Sequence, residues 1–264
     1  FHSTTDVYAA KREAVHFAKD LVSESGQVES KFVTQSIYGI LKSGSVILRN
    51  IAVALNESIQ LKNTIDRLSQ NLQRPLSPSV ATRYSKKVVH ALGEEPLILV
   101  DDSDVVKPHG QAFEAIGQVR DGSRKDHKIE KGYFVTEMVG VTARQKQPIS
   151  LYSRIHSSWE KGFKSTNEVL FRGLDHVMGH LKKKATFVFD RGYDINALFD
   201  FMHEKQQHYI IRLTEKRKIF WKGKWFKSTV LRDSRKGKIK TTLTFKEDGK
   251  VKKQRQSPER ENHS

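Results

Sequence analysis

Two short acidic segments carry the residues best suited to chemistry. Residues 100–104 read VDDSD and residues 189–194 read FDRGYD, and each segment starts at the end of a short apolar run. An apolar run of this length is typical of a buried strand, here one that ends in carboxylates. Binding and catalytic groups of open α/β sheets lie at the carboxyl ends of strands. We therefore expect Asp101 and Asp190 to meet at one edge of a sheet.

A pair of neighbouring aspartates suits a divalent metal ion. Two carboxylates side by side repel each other unless a cation lies between them. Mg²⁺ or Mn²⁺ is the natural choice, because both are hard ions that bind carboxylate and phosphate oxygens. Such a site supports phosphodiester hydrolysis and transfer. Asp102 is the alternative to Asp101 as the first ligand, because one sequence leaves the register of the Asp-Asp pair open.

A structural role is the competing interpretation for each of these aspartates. Asp after a strand is common as a turn residue or as the N-cap of the next helix. We predict that capping role for Asp194, which precedes the helix expected to start at Ile195. Two strand-end aspartates in a basic chain favour a metal site over two unrelated turns.

The positive charge of the chain is concentrated in one late segment. The sequence holds 47 Lys and Arg against 30 Asp and Glu, a net charge of +17. Residues 215–256 alone contain 16 of those basic residues and 4 of the acidic ones. Nucleic acid is the expected partner, because bound phosphates release condensed counterions. A solvated tail is the alternative interpretation of the same charge.

Composition excludes several classes of protein. The sequence has no Cys, which excludes disulfides and thiolate metal sites and agrees with a cytoplasmic location. No apolar run approaches the roughly 20 residues that a membrane helix needs, so no membrane partner is expected. His176 and His180 lie four residues apart but lack the intervening Glu of a helical zinc motif, so we predict no metal there.

The elements that position these residues begin with a helical front. Apolar spacing predicts helices over residues 6–22 and 30–42, a third that starts at Ser45 as N-cap, and a fourth over 58–72. Short helices joined by tight turns suit a helix-turn-helix-like module, with an ordinary helical bundle as the alternative. The LSPS segment that starts at Leu76 then interrupts the pattern.

Strands and helices alternate in the middle of the chain. Strands are predicted at residues 97–100, 132–141, 149–155, 186–189 and 208–213, and helices at 166–181 and 195–203. The resulting β-β-β-α-β-α-β order indicates an α/β layer fold with a mixed sheet.

The late basic segment is predicted to be a β-rich insertion. Strand-like pieces at residues 219–221, 225–226, 229–231 and 239–245 are separated by turn residues. Trp221 and Trp225 are expected to pack this small β-structure rather than to stack on bases. Almost nothing is apolar from Lys250 onward, so order is expected to end there.

The sequence resembles the insertion-sequence-four group of bacterial DDE transposases in four places. These are the two acidic segments, the VRDGS run at residues 119–123 and the strand that opens with Gly132-Tyr133. The resemblance is best over residues 97–214. It implies a ribonuclease H-like mixed sheet with flanking helices, in which Asp101 and Asp190 are catalytic and bind Mg²⁺ or Mn²⁺. It also implies cut-and-paste transposition in the bacterial cytoplasm, in association with the nucleoid.

The same resemblance implies a domain order and a DNA interface. A helical DNA-binding-like region (1–92) precedes a partial catalytic core (93–214), a basic β-rich insertion (215–256) and a disordered tail (257–264). The partner is double-stranded DNA, both the element's ends and the target, and the pairing of two ends is compatible with a homodimer. The residues assigned to DNA contact are Arg191, Lys216, Arg217, Lys218, Lys222 and Lys224.

The third acid of that group has no counterpart in the sequence. The group carries a Glu in a Tyr-x₂-Arg-x₃-Glu-x₆-Lys run, and Tyr209 to Glu215 imitates its start with an Arg–Glu spacing one residue short. We therefore expect a C-terminally truncated chain that binds DNA without completing cleavage and strand transfer. Two alternatives stay open: a catalytically dead DNA-binding remnant, and a host nuclease of the same fold with Glu168 as its third acid.

Overall fold

The computed structural model describes residues 4–120, 128–235, 244–247 and 250–253. The chain forms two compact units, Phe1–Ala91 and Leu92–Ser264. Residues 121–123 of the VRDGS run, residues 239–243 of one predicted strand and the expected tail at 257–264 lie outside the described residues.

The first unit is built from helices, as the apolar spacing predicts. Its elements are α1 (Thr4–Leu21), α2 (Gln27–Ser43), α3 (Leu48–Leu55), α4 (Leu61–Leu72) and α5 (Pro78–Leu92). The sequence pattern misses α5, because Pro78 reads as an interruption. Proline is nevertheless well tolerated in the first turn of a helix, where its missing N–H needs no partner.

One buried cluster joins all five helices of this unit. It contains Leu21, Phe32, Ile51, Leu68 and Val80, one residue from each helix in chain order. The helices α2 and α3 approach closely at Gly39, where an added Cβ would lie 2.5 Å from Ile51 Cγ2. No single helix among the described residues is long and apolar enough to cross a membrane, although the bent pair α2 and α3 passes by length and composition alone.

The second unit contains the sheet. Its elements are β1 (Leu97–Val106), β2 (Gly117–Arg120), β3 (Ile129–Val141), β4 (Pro148–His156), α6 (Thr166–Leu181), β5 (Thr186–Phe189), a 3₁₀ turn (Arg191–Tyr193), α7 (Asn196–Glu204), β6 (His208–Ile211), β7 (Lys218–Trp221), β8 (Lys224–Lys227), α8 (Ser228–Arg235), β9 (Thr244–Glu247) and β10 (Lys250–Lys253).

The six main strands form one mixed sheet in the order β2-β3-β1-β5-β6, with β4 also paired to β3. The pairs β1–β3, β2–β3 and β3–β4 are antiparallel, whereas β1–β5 and β5–β6 are parallel. Helix α6 connects β4 to β5, and α7 connects β5 to β6. The predicted α/β fold class, a mixed sheet with flanking helices, is confirmed.

The two faces of the sheet differ in what covers them. Along β1, Ile98 and Val100 are buried, whereas Leu97 and Leu99 are 39% and 43% exposed. Successive residues of a strand point to opposite faces. Ile98 and Val100 therefore mark one face, here named the covered face, and Leu97 and Leu99 mark the open face.

Both core helices lie on the covered face. An added Cβ on Gly173 of α6 would lie 2.8 Å from Met138 Cε, and Met138 pairs with Val100 across the sheet. Phe171 of α6 and Phe201 of α7 stack with ring centroids 4.8 Å apart, so the two helices also contact each other. The strand ends are thus left accessible from the open face.

Three predictions outside the candidate site are wrong. Order does not end at Lys250, because β10 runs from there to Lys253 and pairs with β9. Ser45 does not cap α3, which begins after Ile47; the Ser45 hydroxyl instead accepts a hydrogen bond from the Ile47 N–H at 3.2 Å. Residues 229–231 belong to α8 rather than to a strand, with Leu231 buried. The preference of β-branched residues for strands is weak, and packing of α8 against β8 overrides it.

Candidate active site

The strands β1 and β5 place Asp101 beside Asp190. These strands are parallel neighbours, and their last registered pair is Val100 with Phe189. One residue further along both strands brings Asp101 and Asp190 next to each other. Asp101 continues the alternation of Leu99, so the pair lies on the open face.

The environment of Asp101 shows that the two acids interact. Partial burial raises the pKa of Asp101 above its ordinary value of 3.8, and the negative charges of Asp190 and Asp102 raise it further. A hydrogen bond from the Asp102 backbone N–H acts in the opposite direction. Like charges held together at an accessible edge favour a bound dication, which would relieve their repulsion.

The acids of the first segment lie within β1, not at its end as predicted. The strand continues to Val106 and stays paired with β3, with Asp101 opposite Glu137 and Asp102 opposite Thr136. A paired strand sets the direction of each side chain through its pleat. The carboxylate of Asp101 is therefore held on a rigid element, which a catalytic or metal-binding group requires.

Asp190 has two roles at the start of the turn that follows β5. Its Oδ1 atom accepts a hydrogen bond from the Gly192 N–H at 2.7 Å, which caps the 3₁₀ turn. An added Cβ on Gly192 would lie 3.0 Å from the same oxygen, so a small residue suits this position. Arg191 is exposed beside it and extends into solvent at the same edge.

Asp102 lies on the covered face, away from the pair formed by Asp101 and Asp190. Its partner in the register, Thr136, is 1% exposed and shares a hydrogen bond of 3.0 Å with His156 Nε2. The buried Tyr193 side chain also lies near Asp102, whose negative charge helps to raise the Tyr193 pKa after burial, the larger cause. Sequence reasoning missed Thr136, His156 and Tyr193 as part of this site, because only the fold brings them together.

The candidates for a third acid do not complete the site. Glu137 is exposed and lies opposite Asp101, but the described residues contain no group of three or more His, Cys, Asp or Glu suited to one metal ion. Glu168 forms an ion pair of 2.6 Å with Arg172 in the first turns of α6. Glu215 is exposed beyond the end of β6, and the preceding segment is a strand, as predicted.

Asp194 is not the N-cap that the sequence predicts. The residue before α7 is Ile195, and no side chain caps that helix. The Asp194 carboxylate is 1% exposed, forms an ion pair with Arg217, and accepts hydrogen bonds from the Thr214 N–H at 2.7 Å and the Thr214 hydroxyl at 2.8 Å. Asp194 thus ties the segment after β6 to the turn that carries Asp190.

Arg217 completes this tie. Its guanidinium donates to Asn196 Oδ1 at 2.8 Å and to the Asp194 carbonyl at 2.9 Å, and it lies 5.0 Å from the centre of the Phe199 ring. The side chain is 18% exposed. These contacts make Arg217 an anchor of the β7–β8 hairpin rather than a free contact for a phosphate.

The remaining basic residues assigned to DNA contact are exposed at or near this hairpin. They are Lys216, Lys218, Lys222 and Lys224. The aromatic residues of the hairpin pack against each other, as predicted: Phe220 lies 5.2 Å from Trp225 and Trp221 lies 6.0 Å from Phe226, measured between ring centroids. Arg217 pins the base of the hairpin to Asp194, four residues after Asp190 in the chain.

Comparison with known proteins assigns the family. Residues 92–261, more than half of the chain, match the family described as Transposase DDE domain. The chain belongs to this family. No curated protein matches the sequence. The crystal structure of the Mos1 strand transfer complex is a match at 10% identity and a TM-score of 0.28, over 71% of this chain and 58% of that one.

The family to which the chain belongs is described as a transposase domain. The matched range of the transposase DDE domain includes both acidic segments, the core sheet and the basic hairpin. Asp101 and Asp190, which the register of β1 and β5 sets side by side, thus lie inside the matched domain.

Proposed function

We propose that this chain is a cut-and-paste transposase, in which Asp101 and Asp190 hold Mg²⁺ or Mn²⁺ for phosphodiester hydrolysis and strand transfer. One observation carries the proposal: the parallel register of β1 and β5 sets these two carboxylates side by side on the open face. Membership of the transposase DDE family supports it. The acidic segments support placement in the insertion-sequence-four group.

The residues present fit a hard divalent ion. Asp101 and Asp190 both carry carboxylates, and the negative charge of Asp190 contributes to raising the pKa of Asp101. Such a rise is expected where two acids lie close together without a counter-charge. An oxygen-only donor set suits Mg²⁺ and Mn²⁺ better than zinc or copper. When bound, the ion would supply charge stabilisation at the reacting phosphate.

The protein's own side chains position the substrate. The rigid strands β1 and β5 fix the two carboxylates, and the exposed lysines of the β7–β8 hairpin would bind phosphates of double-stranded DNA next to them. Arg217 and Asp194 would hold that hairpin in place. The helical first unit would bind the element's ends, and two copies would pair them in the bacterial cytoplasm.

A DNA-binding protein that does not cut is the second candidate. The observation in its favour is that the described residues offer no three-acid group for one metal ion. It predicts salt-sensitive DNA binding without metal-dependent nicking.

Nicking of a supercoiled plasmid in Mn²⁺ distinguishes the two candidates. The unmodified chain, Asp101→Asn and Asp190→Asn are compared with Asp175→Asn, which removes a carboxylate on α6 that pairs with Lys205. Nicking that is lost in the first two variants and retained in Asp175→Asn supports the transposase. Nicking that survives Asp190→Asn contradicts it, and DNA binding without any nicking supports the second candidate.

A further inference from the structure

A buried hydroxyl lies beneath the two-aspartate site. Tyr193 is 7% exposed, and its ring packs 5.5 Å from that of Phe189. Its hydroxyl forms no hydrogen bond of normal geometry with any described residue. A buried donor without an acceptor is costly and rare in folded proteins. The position of this hydroxyl therefore needs an explanation.

Asp102 is the acceptor that faces it. After burial, the charge of Asp102 is the largest cause that raises the pKa of Tyr193, ahead of Asp101 and Asp190. The register puts Asp102 on the covered face, the side from which the Tyr193 ring packs. The same carboxylate acts on the Tyr193 pKa as a side-chain hydrogen-bond partner as well as a charge.

The connection matters because of where the two residues lie in the chain. Asp102 directly follows Asp101 on β1, and Tyr193 closes the 3₁₀ turn that Asp190 begins. A hydrogen bond between them would link, from the covered face, the two backbone segments whose carboxylates meet on the open face. Thr136 lies buried opposite Asp102 on β3 and is hydrogen-bonded to His156.

We propose that Asp102 is a positioning residue whose carboxylate accepts a hydrogen bond from the Tyr193 hydroxyl, and that this link sets the spacing of Asp101 and Asp190 for one divalent ion. The inference rests on the proposed metal site and adds the residues that arrange it. It also gives different roles to the first two aspartates of the VDDSD segment. Asp101 binds the metal, and Asp102 positions Asp101.

A metal-free double-mutant cycle tests the link itself. Urea unfolding is measured for the full chain, for Tyr193→Phe, for Asp102→Ala and for the double variant. We expect the double variant to have about the same free energy of unfolding as the less stable of the two single variants, because each change removes the same interaction. Fully additive losses of stability would overturn the link.

Mn²⁺ affinity, measured by electron paramagnetic resonance of free Mn²⁺, tests the positioning role. Loss of an outer contact to a metal ligand typically weakens binding by about 10-fold to 100-fold, so we expect about 10-fold weaker binding for Tyr193→Phe and for Asp102→Ala. Tyr152→Phe, which removes the hydroxyl of a half-buried tyrosine in the same unit, should bind Mn²⁺ as the unmodified chain does.

The outcomes separate this inference from the proposed function. Mn²⁺ binding that is lost in Asp101→Asn but unchanged in Tyr193→Phe overturns the inference alone. Mn²⁺ binding that is absent from the unmodified chain, or unaffected by Asp101→Asn, overturns the metal site and the inference with it. Weaker binding in Tyr193→Phe together with a coupled double-mutant cycle supports both.

Discussion

At the scale of single residues, the direction of a side chain decides its chemistry. Asp101 and Asp102 are adjacent on β1 and therefore point to opposite faces of the sheet. The sequence leaves both open as the first metal ligand. The register settles only their placement: Asp101 shares the open face with Asp190, whereas Asp102 shares the covered face with Thr136 and Tyr193.

We expect Asp101→Asn to stabilise the metal-free protein at neutral pH. The folded-state pKa of Asp101 is raised by burial and by Asp190, so its contribution to stability is present at low pH and lost as the pH rises through that pKa. Asn cannot ionise and avoids this loss. Because Asp101 is exposed, screening limits the gain to on the order of 0.5 kcal/mol.

Thermal unfolding at neutral and acidic pH, without metal, checks this prediction. The stability difference between the unmodified chain and Asp101→Asn should shrink towards zero as the pH falls below the ordinary Asp pKa of 3.8. Asp66→Asn serves as the control for loss of an exposed carboxylate, here on α4. A gain that persists at low pH would show that repulsion at the acid pair is not its cause.

At the scale of elements, regular periodicity made the core predictable. The sequence places α6 and β5 with their observed bounds, Thr166–Leu181 and Thr186–Phe189, because apolar residues there follow one clear period. The continuation of β1 beyond its apolar run to Val106 was not predicted, because pairing with β3 stabilises this part of the strand and its composition does not indicate it. His156 and Tyr193 were not predicted for a similar reason: only long-range packing brings them to Asp102.

Gly173 sets the distance between α6 and the sheet. An added Cβ there would lie 2.7 Å from Tyr152 Cε1 and 2.8 Å from Met138 Cε, so Gly173→Ala should destabilise the protein by about 1–3 kcal/mol through overpacking. Gly179, on the same helix, has nothing within 4 Å of the added Cβ. Gly179→Ala should instead stabilise by about 0.5–1 kcal/mol, because alanine favours the helix.

Urea denaturation of the two glycine variants checks the contrast. Both changes add one methyl group to α6, so a difference in sign isolates the contact with the sheet from helix propensity. Stabilisation by Gly173→Ala would mean that Tyr152 and Met138 move aside at little cost.

Arg217 anchors the hairpin through a buried ion pair. Arg217→Met would leave the Asp194 carboxylate, 1% exposed, without its counter-charge, which typically costs about 3–5 kcal/mol. Lys216→Met, at the exposed neighbouring position, should change stability by less than about 0.5 kcal/mol. Equal melting temperatures for the two variants would show that Arg217 is not an anchor.

At the scale of the whole molecule, negative and positive side chains occupy different places around the sheet. The chain carries a net charge of +17, yet Asp101, within β1, stands beside Asp190, which follows the end of β5. The contacts of Asp194 with Arg217 and Thr214 fix the base of the basic hairpin to the turn that Asp190 begins. The fold would thus bring bound DNA backbone close to the acid pair. The sequence alone does not show this, because the two acidic segments and the basic segment are far apart in the chain.

The salt dependence of DNA binding tests this arrangement. The slope of log affinity against log salt is negative, and each lost phosphate contact should make it less steep by about 0.9. Replacing Lys218, Lys222 and Lys224 with Gln should therefore make it less steep by up to about 3. The matched control replaces three exposed lysines at the opposite edge of the sheet, Lys146, Lys182 and Lys184. Net charge changes equally in both triple variants, so a purely long-range attraction would weaken binding equally. A larger loss of slope in the hairpin variant means that DNA lies along the edge that holds Asp101 and Asp190, whereas equal losses would place the DNA elsewhere.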